Sequence, residues 1–172
     1  VEVLIAGTEP ITEKVMSSAP NLKLISRVGI GLDNVDLLAA KKKNIFVSYT
    51  PDAPAPAVAE LTIGFMLSTL REIQVSNANM HAGIWQRQFG RRVSEVTIGI
   101  IGLGNMGAPM ANNLAEASYE VTGFDIILPC PEGITSASSA VSIAKSCDVI
   151  ITMLPNGEIV QSVSEEIIPE ML

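Results

Sequence analysis

The stretch Thr97–Ala115, TIGIIGLGNMGAPMANNLA, decides how the chain folds. A β-branched apolar run, Thr97 to Ile101, meets a G-x-G-x-x-G pattern at Gly102, Gly104 and Gly107, and a helical segment follows. Each glycine answers a physical need. Gly102 permits a tight turn, Gly104 lets the backbone come close to a diphosphate, and Gly107 lets the helix pack near the strand. Amides at the start of that helix, with an effective charge of about +0.5, attract an anion. Pro109 falls in the first turn, where a missing N–H costs nothing. Glycine turns also arise for packing alone, so neighbouring residues must carry weight. The next strand ends at Asp125, 18 residues after Gly107 and 23 after Gly102, near the spacing of about 20 at which a carboxylate meets an adenosine ribose. A carboxylate there accepts hydrogen bonds from both ribose hydroxyls and repels a 2′-phosphate, which favours NAD over NADP. Ile126, which is not an arginine, agrees with that preference. The competing reading of Asp125 is an ordinary turn residue at a strand end.

On both sides of this stretch, strands and helices alternate. Downstream, the pattern predicts a helix over Met106–Ala117, a strand over Glu120–Phe124, a weak strand near Gly133–Ser136, a helix over Ser139–Lys145, a strand over Val149–Met153 and a helix from about Glu158 to Ile168. Upstream, VEVLIA (1–6), LKLIS (22–26) and IFVS (45–48) read as three strands separated by helices. Asn34 is expected to cap the second of those helices, Lys41, Lys42 and Lys43 to close it against the negative end of its dipole, and Asn44 to take the left-handed position beyond. Pro51, Pro54 and Pro56 then break the pattern, and AVAELTIGFMLSTLREI (57–73) is apolar on almost every side, which predicts a helix buried on several faces. The expected organisation is α/β throughout. A partial flavodoxin-like lobe (1–55) is joined by a buried helix and a crossover (56–95) to a partial Rossmann lobe with a doubly wound parallel sheet (96–172).

Composition narrows the function classes. The 172 residues carry 11 Lys and Arg against 18 Asp and Glu, a formal charge of −7, and that average field repels a nucleic-acid backbone. No run approaches the roughly 18 apolar residues of a membrane helix, and the N-terminus lacks a signal-peptide pattern, so a cytoplasmic protein is expected. Cys130 and Cys147 have no metal-type spacing and read as reduced, packed thiols, so no metal site is expected. His81 is the single histidine and so the one candidate histidine base; it reads as an exposed or hydrogen-bonded loop residue, because no carboxylate is placed nearby in sequence to orient it.

The sequence resembles two groups of hydroxyacid dehydrogenases. SRVGIGLDNVDLLAAKKKNIFVSYTPDAPAPAVAELTIGFMLSTLRE, the later GIWQ, and TIGIIGLG are similar to D-2-hydroxyacid dehydrogenases of the phosphoglycerate dehydrogenase and hydroxypyruvate reductase kind. IGLGNMGAPMANNL, YEVTGFD and CDVIITMLPNGE are instead similar to the 3-hydroxyisobutyrate and 6-phosphogluconate dehydrogenase group, as in a fragment or chimera. The first resemblance implies that the amides of Ile30 and Gly31 hold a substrate carboxylate, with Arg27 and Asn34 near it; the residues alone show only a tight turn that binds an anion or merely fits its neighbours. The second implies that Asn105 and Met106 contact the pyrophosphate and that Met153, Leu154 and Pro155 line the coenzyme crevice. Together with the motif, the coenzyme set is Gly102, Leu103, Gly104, Asn105, Met106, Gly107, Asp125, Met153, Leu154 and Pro155. By the same resemblance, Ser118 departs from the glycine usual between the helix over Met106–Ala117 and the strand over Glu120–Phe124. The arginine and the histidine–glutamate pair of the first group, and the lysine of the second, fall in segments that follow the helix ending here at Leu172, so no catalytic residue is assigned.

The predicted strands correspond to the third, second, first and fourth of a doubly wound sheet ordered 3-2-1-4-5-6. The outer fourth strand would leave an apolar edge, which predicts self-association into a homo-oligomer such as a dimer. Three functions stay open. The chain is an NAD-binding, catalytically incomplete relative of enzymes acting on small hydroxyacids or ketoacids, an active dehydrogenase completed by a partner, or a structural module without ligand.

Overall fold

The computed structural model describes residues 1–51 and 53–171, so the expected break at Pro51–Pro56 lies partly outside the described residues. The chain divides into two compact units, Val1–Val58 and Ala59–Leu172.

In the first unit, strands β1 (Val3–Ala6), β2 (Leu24–Arg27) and β3 (Phe46–Tyr49) form a parallel sheet in the order β1-β2-β3. Helices α1 (Glu13–Ser17) and α2 (Leu37–Lys42) make the crossovers. Strand alternation gives the sheet two unlike faces. Ala6 and Ile25, with Leu4 and Val47 beside them, pack on Met16, Ala39 and Ala40, while Val3, Ile5 and Phe46 are exposed. The cap of α2 is Asp36, whose Oδ1 accepts from the Ala39 amide at 2.9 Å; the expectation for Asn34 is corrected. Asn34 is committed elsewhere, its Nδ2 donating to the carbonyls of Gly7 and Glu9 at 3.0 and 2.9 Å. Lys41 and Lys42 close the helix, and Asn44 takes φ 54°.

Helix α3 (Ala55–Leu70) and helix α4 (Ile73–His81) replace the single helix expected over 57–73, because Glu72 at φ 49° interrupts it. The expected burial of this helix is also corrected. Met66 is its one buried residue among those described, whereas Leu61, Ile63 and Phe65 are exposed. An apolar helix buries only the stripe that meets a sheet, and here that stripe is Met66 with Leu70 against the core of the second unit.

Strands β4 (Thr97–Ile101), β5 (Glu120–Phe124), β6 (Thr135–Ser136) and β7 (Val149–Thr152) form the second parallel sheet, ordered β6-β5-β4-β7. This is the third-second-first-fourth arrangement that the alternation predicts. Helix α5 (Gly107–Glu116) covers one face; α6 (Ala140–Ser146) and α7 (Gly157–Ile167) cover the other. The period of β4 separates them. Ile98 and Ile100 point into the α5 side and Ile101 to the α6–α7 side, where a Cβ on Gly99 would stand 2.3 Å from Ile143. Ile98, Ile100 and Ile143 are fully buried, each stabilising the fold by roughly 1.5–3 kcal/mol. Ser139 caps α6 reciprocally with Ser142 at 3.0 and 3.1 Å.

Candidate functional site

The glycine turn lies between β4 and α5. Gly102 takes φ +95°, and its amide donates to the Phe124 carbonyl at 2.9 Å. A Cβ on Gly102 would stand 2.4 Å from the Met153 carbonyl, and one on Gly107 would stand 1.8 Å from the Gly102 carbonyl. Both glycines are therefore required by close approach of backbone. Gly104 differs: a Cβ there meets nothing within 4 Å, so the space beside it is open. The amides of Gly104, Asn105, Met106 and Gly107 have no acceptor among the described residues, and Met106 gives α5 no side-chain cap. Four unpaired donors at the positive end of a 10-residue helix, beside an open space, fit an anionic diphosphate.

Leu103 is held at both ends. Its side chain is buried against β5, and its amide donates to Asp125 Oδ2 at 2.7 Å. Oδ1 of the same carboxylate accepts from Ile127 and Leu128 at 2.8 and 2.9 Å. Burial would raise the Asp125 carboxyl, but the amides of Leu128, Ile127 and Leu103 together bring it below the usual aspartate range, so it is an anion at neutral pH.

The structure thus brings Gly102, Leu103, Gly107, Asp125, Met153 and Leu154 together, with Gly104, Asn105 and Met106 on the turn between them. Pro155 is exposed just beyond, before Asn156, whose Oδ1 caps α7 by accepting from Ile159 at 2.9 Å. The Asp125–Leu103 bond was not foreseeable from spacing, because an amide donor leaves no mark in side-chain identity.

In the first unit, Ile30 and Gly31 follow β2, and their amides have no acceptor among the described residues. Gly29, at φ 139°, is pinned by Thr50: its amide donates to Thr50 Oγ1 at 2.8 Å and its carbonyl accepts from the Thr50 amide at 3.1 Å. The Arg27 guanidinium folds over this turn and donates to the Val28 carbonyl, while Arg27 Nε and Asn34 Oδ1 are buried without partners among the described residues. Thr50 carries no sequence signal beyond standing before a proline. His81 is exposed at the end of α4. Among the described residues no cluster of three or more metal-ligating side chains occurs, and no helix is long and apolar enough to cross a membrane.

A parallel sheet in this order, with a glycine turn after its first strand and a carboxylate closing its second, is the architecture of doubly wound α/β proteins, whose ligands sit at that turn. More particularly, the chain belongs to the D-isomer specific 2-hydroxyacid dehydrogenase catalytic-domain family, whose model matches residues 1–171. That match extends across the point where the likeness to the 3-hydroxyisobutyrate group begins. The chain is 36% identical over 132 residues to the hydroxypyruvate reductase of Thermotoga maritima, covering 75% of this chain and 43% of that protein. It is 37% identical over 131 residues to the D-3-phosphoglycerate dehydrogenase of Methanocaldococcus jannaschii, covering 75% and 25%. The crystal structure of D-lactate dehydrogenase from Aquifex aeolicus, complexed with NAD and lactic acid, superposes with a TM-score of 0.81 at 25% identity, over 99% of this chain and 54% of that one. The chain therefore spans less than half the length of these two curated relatives.

Proposed function

We propose that this chain holds NAD for an oxidoreductase acting on small hydroxyacids or ketoacids. One observation carries the reading: four unpartnered amides from Gly104 to Gly107 stand beside a turn tied to the anionic Asp125. Bound NAD would supply hydride transfer to or from a carbonyl. The chain's own residues would do the holding. Gly104, Asn105, Met106 and Gly107 donate to the diphosphate, Asp125 meets the adenosine ribose and repels a 2′-phosphate, and Met153, Leu154 and Pro155 flank the crevice. Ile30 and Gly31 donate amides to a substrate carboxylate, on a turn that Thr50 keeps in shape. On this reading the assigned residues bind and orient, none of them is a catalytic acid or carbonyl polariser, and the chain by itself is proposed to be catalytically incomplete.

Fluorescence titration with NADH and NADPH tests the reading: NADH binds more tightly, and equal affinities would remove the role of Asp125. Turnover of hydroxypyruvate or phosphohydroxypyruvate by the chain alone would replace incompleteness with an active enzyme. The 3-hydroxyisobutyrate-like residues of the second half, and a natural or engineered junction between two lineages, form a proposal about ancestry that preferential turnover of 3-hydroxyisobutyrate would support. Self-association is proposed on β7, which pairs only with β4 among the described residues and bears Val149, Ile150 and Ile151. Sedimentation showing a monomer at high concentration would overturn it.

A further inference from the structure

Asn156–Gly157 is the one step in the sequence at which an asparagine precedes a residue without a Cβ; a side chain follows every other asparagine. We propose that it is a site of spontaneous self-modification, where the chain loses ammonia and gains a negative charge at the head of α7. The chemistry needs an asparagine carboxamide, a neighbouring backbone nitrogen that nothing engages, and room for the two to meet. Asn156 is the exposed N-cap of α7, in extended backbone at φ −154° and ψ 169°. The Gly157 amide is the first of the helix and has no acceptor among the described residues. A Cβ on Gly157 would meet nothing within 4 Å, so the space around the attacking residue is open.

The atoms balance with water as the sole co-reactant, and nothing in the step depends on a bound coenzyme. The Gly157 nitrogen attacks Cγ of Asn156; the side-chain nitrogen leaves as ammonia, taking the amide proton with it, and a five-membered succinimide closes. Water then opens the ring. Cleavage at the side-chain carbonyl gives aspartate, and cleavage at the main-chain carbonyl gives isoaspartate, whose backbone runs through Cβ and is one carbon longer. Asn156 Oδ1 accepts from the Ile159 amide at 2.9 Å, and this exposed bond holds the carboxamide off the reaction. A single exposed bond in a first helical turn opens by local fraying, so the cap slows the step without preventing it. The two products part at the helix. Aspartate keeps an oxygen for Ile159 and suits the positive end of the dipole, whereas isoaspartate carries its free carboxylate on Cα and loses the cap geometry.

Peptide mapping by mass spectrometry of the folded, unaltered chain, held in mildly alkaline buffer, reads the site directly. Asn156 should convert ahead of every other asparagine, its peptide gaining the mass difference between a hydroxyl and an amino group. An isoaspartyl carboxyl methyltransferase should transfer methyl groups to the aged chain and not to equally aged Asn156→Asp. Gly157→Ala introduces no clash, and its methyl crowds the attacking nitrogen. It should convert roughly tenfold more slowly, a barrier about 1.4 kcal/mol higher. Conversion of another asparagine first, or of Asn156 only after denaturation, overturns the inference, because the folded turn would then protect the bond. A mass gain without methyl acceptance, or an undiminished rate in Gly157→Ala, overturns it as well, since the Gly157 nitrogen would not be the attacking group.

Discussion

The amide of Leu103 donates to Oδ2 of Asp125 at 2.7 Å, tying the glycine turn to the end of the neighbouring strand across 22 positions of sequence. Burial pushes this carboxyl up, but three amides pull it further down, so the folded value lies below the unfolded one of about 3.9. The sign follows from linkage. A depressed carboxyl contributes stability that is complete above the unfolded value and is lost as pH falls through the folded one. We predict that the Leu103, Ile127 and Leu128 amide resonances titrate together, with a midpoint below the ordinary aspartate value. Nuclear magnetic resonance from about pH 6 to about pH 2 reads it directly. A common midpoint at or above that value would contradict the depressed carboxyl.

Asp148 holds a second clasp, at the base of the same sheet. Its Oδ1 accepts from Arg91 at 2.5 Å and its Oδ2 from the Thr97 amide at 2.9 Å. Asp148→Ala takes the acceptor from the Thr97 amide and leaves Arg91 only the Glu95 carbonyl and water, whereas Arg91→Ala leaves the carboxylate its backbone partner. The aspartate is partly exposed, so its loss should cost about 1 kcal/mol, and the arginine variant should cost less. Thermal unfolding of the two variants gives the ranking. Equal falls, or a larger one for Arg91→Ala, would show that the ion pair and not the Thr97 bond is the stabilising contact.

Where local chemistry determined structure, the residues announced it. The β-branched run of β4, the spacing of Gly102, Gly104 and Gly107, and the serine at 139 each act within a few residues of themselves, and each lies in the predicted element. The misreadings share a different cause. Asn34 and Asp36 are both good caps, and what separates them is a contact 27 residues away that draws Asn34 to Gly7. An apolar helix looks buried in sequence, but α3 buries only what a neighbouring surface meets. Asp125 was visible as a carboxylate ending the second strand after the glycine motif, while its three amide partners were invisible because backbone donors are common to every residue.

Ser118 offers a gain in stability. It follows α5 at φ 66°, a left-handed conformation that costs a non-glycine residue roughly 1–2 kcal/mol. Its hydroxyl makes no hydrogen bond among the described residues. Ser118→Gly should recover about 1 kcal/mol after the extra chain entropy of glycine is subtracted, a rise of about 2–4 °C in Tm for a chain of this length. Differential scanning calorimetry checks it, and an unchanged or lower Tm would mean that the turn carries no strain.

Gly104 and Gly107 separate folding from binding within a single turn. Alanine at 107 would place a Cβ 1.8 Å from the Gly102 carbonyl, so strand and helix must part, at a cost of about 1–3 kcal/mol. Alanine at 104 meets nothing within 4 Å, and Gly104 has no left-handed φ to strain. Gly104→Ala should therefore unfold within about 1 kcal/mol of the unaltered chain. Its methyl would nevertheless occupy the space assigned to the diphosphate, so NADH affinity should fall about tenfold or more, on the scale of one displaced hydrogen-bonding contact. Gly107→Ala should lose both stability and affinity. Thermal unfolding beside fluorescence titration distinguishes the pair, and a Gly104→Ala chain that keeps full affinity for NADH would place the coenzyme away from this turn.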